Sequence, residues 1–286
     1  MTRFLYLSDT HIGAEVVGFQ QQPAYPEKLD ELLSTVAELA CSGEIDFVLH
    51  GGDMVDTCTP ATIARAKQLF DLPVPVYLSL GNHDLDREDA LSLWLTHAPE
   101  FFIDQSPQYT IEHADCDIHV TPNQWETGMP YYWRSQQEAY FLEDQLHVLE
   151  EAIAKSRGKN QWLAIHNPIY GVPKEQSGAE HIIHDAPPLF REVVVTIMES
   201  HPELRGVLSG HSHINTLKQT EAGVYLSASS FIEAPFEYKI IEVTQQSLSI
   251  RTHAVSGLSF QADYDAARSF VQGREIDRSL HWRLSE

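Results

Sequence analysis

Four short segments of this chain carry side chains that commonly bind metal ions. They read Ser8-Asp9-Thr10-His11, Gly52-Asp53-Met54-Val55-Asp56, Gly81-Asn82-His83-Asp84 and Gly210-His211-Ser212-His213. Zinc, manganese and iron ions accept carboxylate, carboxamide and imidazole donors, whereas copper(I) and iron–sulfur clusters select thiolates, which these segments lack. The residue types therefore predict a centre that holds zinc, manganese or iron.

The spacing of these residues predicts that their side chains converge. Asp9 and His11 are two residues apart, as are His211 and His213, so each pair projects to one side of an extended backbone. The segments, and also His166, each follow an apolar run typical of a buried strand, at 4–7, 46–49, 74–80, 162–165 and 206–208. Functional sites in α/β sheets collect at the carboxyl ends of the strands, so we expect a single cluster of ligands there.

The rest of the chain alternates helical and extended patterns. Apolar spacing and helix-end signals predict helices at 26–42, 60–70, 86–97, 135–156 and 187–200. Later strands are predicted at 224–226, 238–243 and 248–255. At 286 residues the chain can bury one large core. We expect an α/β fold, a β-sandwich flanked by helices, in one domain at 1–255. A C-terminal extension at 256–286 would pack on this domain or on a second subunit of a homo-oligomer.

The charge balance limits the expected partners. The chain has 19 basic and 41 acidic residues, a formal net charge of −22, and no basic stripe. Such a surface repels polyanions, so we expect neither nucleic acid nor an anionic membrane as a partner. No apolar run reaches the length of a membrane span, and the first strand begins too early to leave room for a signal peptide. The three cysteines are widely spaced and imply no disulfide framework, so we expect a cytoplasmic protein.

In order, the motifs Asp-x-His, Gly-Asp-x-x-Asp, Gly-Asn-His-Asp, a lone His and Gly-His-x-His resemble the calcineurin-like metallophosphoesterase superfamily, over about residues 4–214. The resemblance implies a metallo-dependent phosphatase fold of four layers, with two mixed sheets between helices. It also implies two metal ions with Asp53 as the bridge. One ion would be held by Asp9, His11, Asp53 and His213, and the other by Asp53, Asn82, His166 and His211.

The same resemblance implies the chemistry. Two such ions clamp a phosphoryl group, and the pKa of the water they share falls far enough to give a hydroxide nucleophile near neutral pH. His83 would meet the phosphate or protonate the leaving group, and Asp56, or alternatively Asp84, would fix its tautomer. Asp56 stands where purple acid phosphatases carry a metal-binding tyrosine, so no tyrosinate–iron colour is expected.

Several activities are compatible with this centre. Hydrolysis of a small phosphodiester is the first expectation, and a phosphomonoesterase or nucleotide phosphatase would use the same ions. The segment 8–13, Ser-Asp-Thr-His-Ile-Gly, is similar to double-strand-break repair exonucleases, but the acidic composition argues against a nuclease. A non-catalytic scaffold of this fold, as in some retromer subunits, would be expected to have lost ligands, and all seven are present. Asn167-Pro168 differs from the His-Pro that is common in the cyclic-nucleotide phosphodiesterase branch, so the subfamily stays open.

Two loops are candidates to shape substrate choice. Residues 123–134 include Trp125, Trp133 and Arg134 and either pack in the ordinary way or form a wall of the site, with Arg134 as a phosphate donor. Residues 170–188 carry His181 and His184 and are too polar for a core. They would form a lid or an ordinary surface loop.

Overall fold

The computed structural model describes residues 1–16 and 18–284, and within them the chain forms two six-stranded mixed sheets. The first sheet has, in spatial order, β12 (Ser279–Arg283), β11 (Ser247–Ala254), β10 (Glu237–Val243), β1 (Thr2–Leu7), β2 (Phe47–His50) and β3 (Val76–Leu78). β1, β2 and β3 pair in parallel, whereas β10, β11 and β12 pair antiparallel. The carboxyl ends of the three parallel strands therefore lie at one edge of the sheet.

The second sheet repeats this arrangement. Its strands, in spatial order, are β4 (Tyr109–Glu112), β5 (Cys116–Val120), β6 (Asn160–Ala164), β7 (Leu204–Ser209), β9 (Val224–Ser227) and β8 (Thr216–Gln219). The four central strands are parallel and the two outer ones antiparallel. Apolar side chains of both sheets, such as Phe4 and Trp162, belong to one buried cluster, so the sheets pack face to face as a sandwich.

Helices cover the outer faces of the sandwich. They are α1 (Leu29–Cys41), α2 (Pro60–Leu69), α3 (Ala90–His97), α4 (Glu143–Lys155), α5 (Lys174–Ser177), α6 (Pro188–Ser200) and α7 (Glu275–Arg278). α2 begins where Thr59 caps the backbone N–H of Thr62 and Pro60 takes the first position, which lacks an N–H to satisfy. Leu149 of α4 and Val194 of α6 pack on the second sheet. None of the helices within the described residues is long and apolar enough to cross a membrane.

The predicted β-sandwich of two mixed sheets between helices is confirmed, but some boundaries differ. The helix predicted at 135–156 begins only at Glu143, because residues 135–142 are held by hydrogen bonds to residues 124–126. The strands β4, β5, β8 and β12 were not predicted. The C-terminal segment forms a 3-10 helix (Ala266–Gln272), α7 and β12, which extends the first sheet by pairing with β11.

Candidate metal centre

The predicted metal ligands lie at the carboxyl ends of the parallel strands. They follow β1, β2 and β3 in the first sheet and β6 and β7 in the second. Because both sheets direct these ends toward the same region, residues separated by up to 204 positions come into contact. The residues brought together are Asp9, His11, Asp53, Asn82, His166, His211 and His213.

Within this group the potential ligands form two clusters. The first consists of Asp9, His11 and His213, and the second of Asp53, His166 and His211. The donor atoms of each cluster lie within 4.8 Å of one another. Asn82 joins the second cluster, where its Oδ1 accepts a hydrogen bond from His211 Nδ1 at 2.9 Å. Asp53 Oδ2 lies 4.0 Å from His11 Nε2, so this carboxylate connects the two clusters.

The backbone at these positions is unusual. Five of the seven residues have positive φ angles, at Asp9 (57°), His11 (40°), Asp53 (52°), His211 (64°) and His213 (58°). Residues other than glycine rarely adopt this left-handed region, and such conformations persist only where the surrounding structure imposes them. The strand ends therefore turn sharply so that their side chains face the gap between the two sheets.

Glycine is required next to two of the ligands. A Cβ at Gly52, where φ is +107°, would lie 2.3 Å from His166 Nδ1, and a Cβ at Gly81 would lie 2.4 Å from Asp53 Oδ1. Contacts this short are not tolerated between non-bonded atoms, so any side chain at either position would displace the neighbouring ligand. The glycines of the Gly-Asp and Gly-Asn motifs thus let the loops approach each other closely.

The donor atoms fit a bound metal. His166 is buried, and its Nδ1–H donates a hydrogen bond to the Gly51 carbonyl at 2.8 Å. The lone pair of Nε2 is therefore free to bind a metal ion. That Nε2 has no hydrogen-bond partner among the described residues and lies 3.3 Å from Asp53 Oδ2. In the other cluster, His213 Nε2 lies 3.4 Å from Asp9 Oδ1. Donors bound to one ion at about 2.0–2.2 Å are separated by roughly 3.0–3.5 Å, as these pairs are.

The electrostatics of the site favour a cation. Burial alone disfavours charge on these groups, yet the imidazoles around Asp53, with His166 the strongest, hold the pKa of its carboxyl well below the usual range. Burial by itself would lower the pKa of the His213 imidazole, but the Glu233 and Asp9 carboxylates outweigh burial and raise this pKa. The buried carboxylates are thus stable as anions only beside positive charge. Without a metal ion, protonated imidazoles supply that positive charge, and a bound metal ion would supply it instead.

Glu233 orients a histidine of the first cluster and was not identified from the sequence. It is buried, and its Oε1 accepts a hydrogen bond from His213 Nδ1 at 2.5 Å. Its Oε2 accepts the backbone N–H groups of Gln21 and Gln22, at 3.0 and 2.7 Å. A carboxylate on the far nitrogen of a ligating histidine fixes the tautomer and orientation of the ring. No local motif marks Glu233, because its partners are remote in the sequence.

His83 lies beside the centre with its orientation fixed. Its backbone N–H donates to Asp53 Oδ1 at 2.8 Å, and its Nδ1–H donates to the backbone carbonyl of Asp56 at 2.7 Å. The structure therefore gives the orienting contact to the Asp56 carbonyl, whereas the sequence hypothesis gave it to the carboxylate. The Asp56 carboxylate lies 3.1 Å from His11 Nδ1, and with His11 and His83 it forms a third group of potential ligands. The alternative partner, Asp84, accepts the backbone N–H groups of Gly81 and Val55 instead.

The centre forms the floor of a cleft of about 290 Å³. Four further residues, which are neither predicted metal ligands nor predicted catalytic residues, also line the cleft. We call them the rim: Phe19, Trp133, Gln137 and His184. Trp133 and His184 come from the two loops singled out in the sequence. Among the described residues that line the cleft, neither Arg134 nor His181 is present.

The chain was compared with known proteins and structures. The family model of the calcineurin-like phosphoesterases matches residues 2–215. DNA double-strand break repair protein Mre11 of Saccharolobus solfataricus is 27% identical over 90 residues, and that of Thermoplasma acidophilum is 25% identical over 91 residues. These matches cover 29% and 30% of this chain, and each spans only 23% of the relative's length.

Solved structures share the fold at low sequence identity. A dimetal phosphatase from Danio rerio superimposes with a TM-score of 0.66 at 15% identity, covering 88% of this chain and 96% of that one. The GAP50 anchor of the inner membrane complex of Plasmodium gives 0.61 at 12% identity, covering 88% and 84%. Purple acid phosphatase from yellow lupin gives 0.58 at 13% identity, covering 88% and 51%. The family model matches about three quarters of this chain, so the chain belongs to the calcineurin-like phosphoesterase family. Together with the two ligand clusters, this match indicates a binuclear metal centre.

Proposed function

We propose that the protein is a binuclear metal-dependent phosphodiesterase that hydrolyses small phosphodiesters. One observation carries this proposal: residues of both ligand clusters line a single cleft that also contains a histidine outside both of them, His83. The cleft volume suits one phosphoryl group with small substituents.

Seven residues are proposed to hold the metal pair, which would be manganese, iron or zinc. Asp53 is assigned as the bridge because its carboxylate lies near ligand nitrogens of both clusters, at 3.3 Å from His166 Nε2 and 4.0 Å from His11 Nε2. Asp9, His11 and His213 complete one site. Asn82, His166 and His211 complete the other. When bound, the ions would neutralise the phosphoryl oxygens and lower the pKa of the attacking water.

His83 is proposed as the general acid. Its Nδ1–H is committed to the Asp56 carbonyl, so Nε2 is the nitrogen that can carry a proton to the substrate. Burial lowers the pKa of the imidazole, but the carboxylates of Asp53 and Asp56 and the Asp56 carbonyl outweigh burial and raise it. As water adds to phosphorus, the P–O bond to the leaving group breaks, the proton on Nε2 passes to the leaving oxygen, and the proton that the water loses passes to solvent, from which His83 is protonated again. The products are a phosphomonoester and an alcohol.

The preference for a diester follows from the charges around the cleft. Among the described residues lining it there is no lysine and no arginine. A phosphomonoester carries a second negative charge at neutral pH, which would have to be met by the metal pair and His83 alone, against a net protein charge of −22. A diester carries one charge and its second substituent can contact the rim.

The proposal is tested by assaying four substrate classes with one manganese-loaded preparation. We expect higher kcat/KM for bis(4-nitrophenyl) phosphate and a small natural diester than for 4-nitrophenyl phosphate, and little cleavage of single-stranded or duplex DNA, even at low salt. A clear monoester preference would replace the proposal by a phosphatase. Efficient DNA cleavage would replace it by a nuclease, the alternative suggested by the segment Ser8-Asp9-Thr10-His11-Ile12-Gly13.

A further inference from the structure

We infer that Trp133 is a stacking platform for the leaving group, so that the preferred diesters carry a flat aromatic ring, aryl or nucleobase, on the alcohol that departs. This inference rests on the proposed function, because it assigns the leaving group to the side of the cleft where His83 lies. It adds a specificity-determining residue on the rim to a centre whose metal ligands lie on the floor.

The position of the indole carries the first step. Trp133 lines the cleft, and its ring centroid lies 5.3 Å from that of His83 with the two planes 34° apart. The His83 ring also meets His11 edge to face, with centroids 4.7 Å apart. The general acid thus contacts both a predicted metal ligand of the floor and the indole. A leaving oxygen protonated by His83 must place its substituent near Trp133.

The hydrogen bonds of Trp133 carry the second step. Its backbone N–H donates to the Leu85 carbonyl at 2.7 Å, and its indole Nε1–H donates to the Gln136 carbonyl at 2.9 Å. Both polar groups are therefore satisfied within the protein, and the ring offers a substrate only its π-face and apolar edge. One part of the indole packs against the buried cluster of the second sheet, and because the ring is only half-buried, the rest of its surface is available. A ring placed in this way selects flat apolar groups by contact and not by hydrogen bonding.

The loop that bears Trp133 is fixed in advance. Glu126 Oε1 accepts three successive backbone N–H groups, from Arg134 and Ser135 at 2.9 Å each and from Gln136 at 3.2 Å. Gln124 Oε1 accepts the Tyr131 N–H at 2.6 Å on the other side of the loop. These bonds close residues 124–136 into a rigid unit. Little conformational entropy is then lost when a ring stacks on the indole, so the contact contributes to binding.

The inference is tested with two pairs of methyl phosphodiesters, one pair for each source of the ring. Phenol and hexafluoroisopropanol are leaving alcohols of similar acidity, and only the first is aromatic. Thymidine and its base-free sugar, each esterified through the 5′ oxygen, share the same alcohol and differ by the nucleobase. The variants are W133L, which removes the π-face, W133F, which retains one, and W282L, a half-buried tryptophan on β12 outside the cleft lining.

We expect W133L to lower the aromatic-to-alkyl ratio of kcat/KM about tenfold in at least one pair, the loss that one stacking contact predicts. W133F should retain most of the ratio, and W282L should match the wild type. A loss confined to the phenyl pair assigns aryl esters, and a loss confined to the thymidine pair assigns nucleosides. Unchanged ratios in W133L, in both pairs, with activity retained would overturn the inference alone. Failure of the wild-type enzyme on all four diesters would instead overturn the proposed function.

Discussion

The floor and the rim of the cleft are built in different ways. The floor residues lie at strand ends, all but the half-buried His211 are buried, and five of the seven have left-handed backbone conformations that the packing of two sheets imposes. The rim residues extend from loops, and Phe19 is 45% exposed. The sheets thus fix the ions and the reacting phosphorus, while the loops contact the variable part of a substrate. Changes in the floor should remove the chemistry, and changes in the rim should alter its selectivity.

The rim is nevertheless anchored to the floor. Glu233 joins His213 to the backbone of Gln21 and Gln22, which continues the segment that bears Phe19. The Gln22 side chain in turn bonds Asp265 and Arg268 of the C-terminal segment. The Phe19 ring rests edge to face on His213, with centroids 5.2 Å apart. The C-terminal segment therefore holds the Phe19 side of the rim.

The largest effect is expected at the bridge of the floor. Asp53→Asn keeps the shape of the side chain but removes its charge, and we expect loss of bound metal and a fall in kcat/KM of more than about a thousandfold. Metal content by elemental analysis and turnover of bis(4-nitrophenyl) phosphate measure it. Asp104→Asn is the matched control, because Asp104 also has a positive φ, 54°, but is exposed and lies outside the cleft lining. Full metal occupancy with full activity in Asp53→Asn would contradict the assignment of the bridge.

The next effect separates chemistry from metal binding. His83→Ala should retain both ions, because His83 is not assigned as a ligand, and should lower kcat by roughly 10²–10⁴, the usual contribution of a general acid. The loss should be larger for an alkyl leaving group than for nitrophenolate, which departs without protonation. Parallel loss of metal and activity would show that His83, which is near His11 and Asp56, acts as a ligand instead.

The strength of the link between floor and rim is measured at Glu233. Replacing it by glutamine keeps the volume but removes the charge that orients His213, and we expect metal affinity to fall about 10–100-fold. Titration of the apoprotein with manganese, followed by activity, measures this change. Glu199→Gln, on the exposed surface of α6, is the control and should leave the affinity unaltered. Equal affinities in both variants would separate Glu233 from the centre.

The smallest effect concerns a neutral histidine beneath the floor. The Gly52 N–H donates to His50 Nδ1 at 3.2 Å, and Thr10 donates its hydroxyl proton to the Met54 carbonyl, so His50 Nε2–H must donate to Thr10 Oγ1. Protonating Nδ1 would break the first bond. Burial accordingly lowers the pKa of His50 to about 3 from an ordinary value of 6.5.

Below pH 6.5 the unfolded chain binds a proton at His50 that the folded protein does not, so the stability from this group is present above pH 6.5 and is lost as the pH falls towards 3. Between pH 7.5 and 5.5 the free energy of unfolding of the wild type should fall by about 1.4 kcal/mol relative to His50→Gln, which has no titrating ring. Urea unfolding at the two pH values measures this difference. A difference that does not change with pH would exclude a neutral His50.

The floor was more predictable from the sequence than the rim, where the loops at 123–134 and 170–188 contribute Trp133 and His184 as expected, but Phe19 and Gln137 were not candidates. Asp9, Asp53 and His166 follow apolar runs of strand length, so a local pattern places each at a strand end. Glu233 and Phe19 gain their roles from contacts with His213, which no local pattern records. The predicted start of the helix at 135–156 was wrong for the same reason. Residues 135–142 are compatible with a helix, but Glu126, which lies outside the segment, binds the N–H groups of residues 134–136.

The most direct test of the binuclear centre is anomalous scattering from crystals of the metal-loaded protein, recorded at the manganese, iron and zinc edges. We predict two peaks about 3.5–4 Å apart on the floor of the cleft, with the Asp53 carboxylate in contact with both. One peak should contact Asp9 and the other Asn82. A single peak after full metal reconstitution, or two peaks that do not share Asp53, would contradict the account.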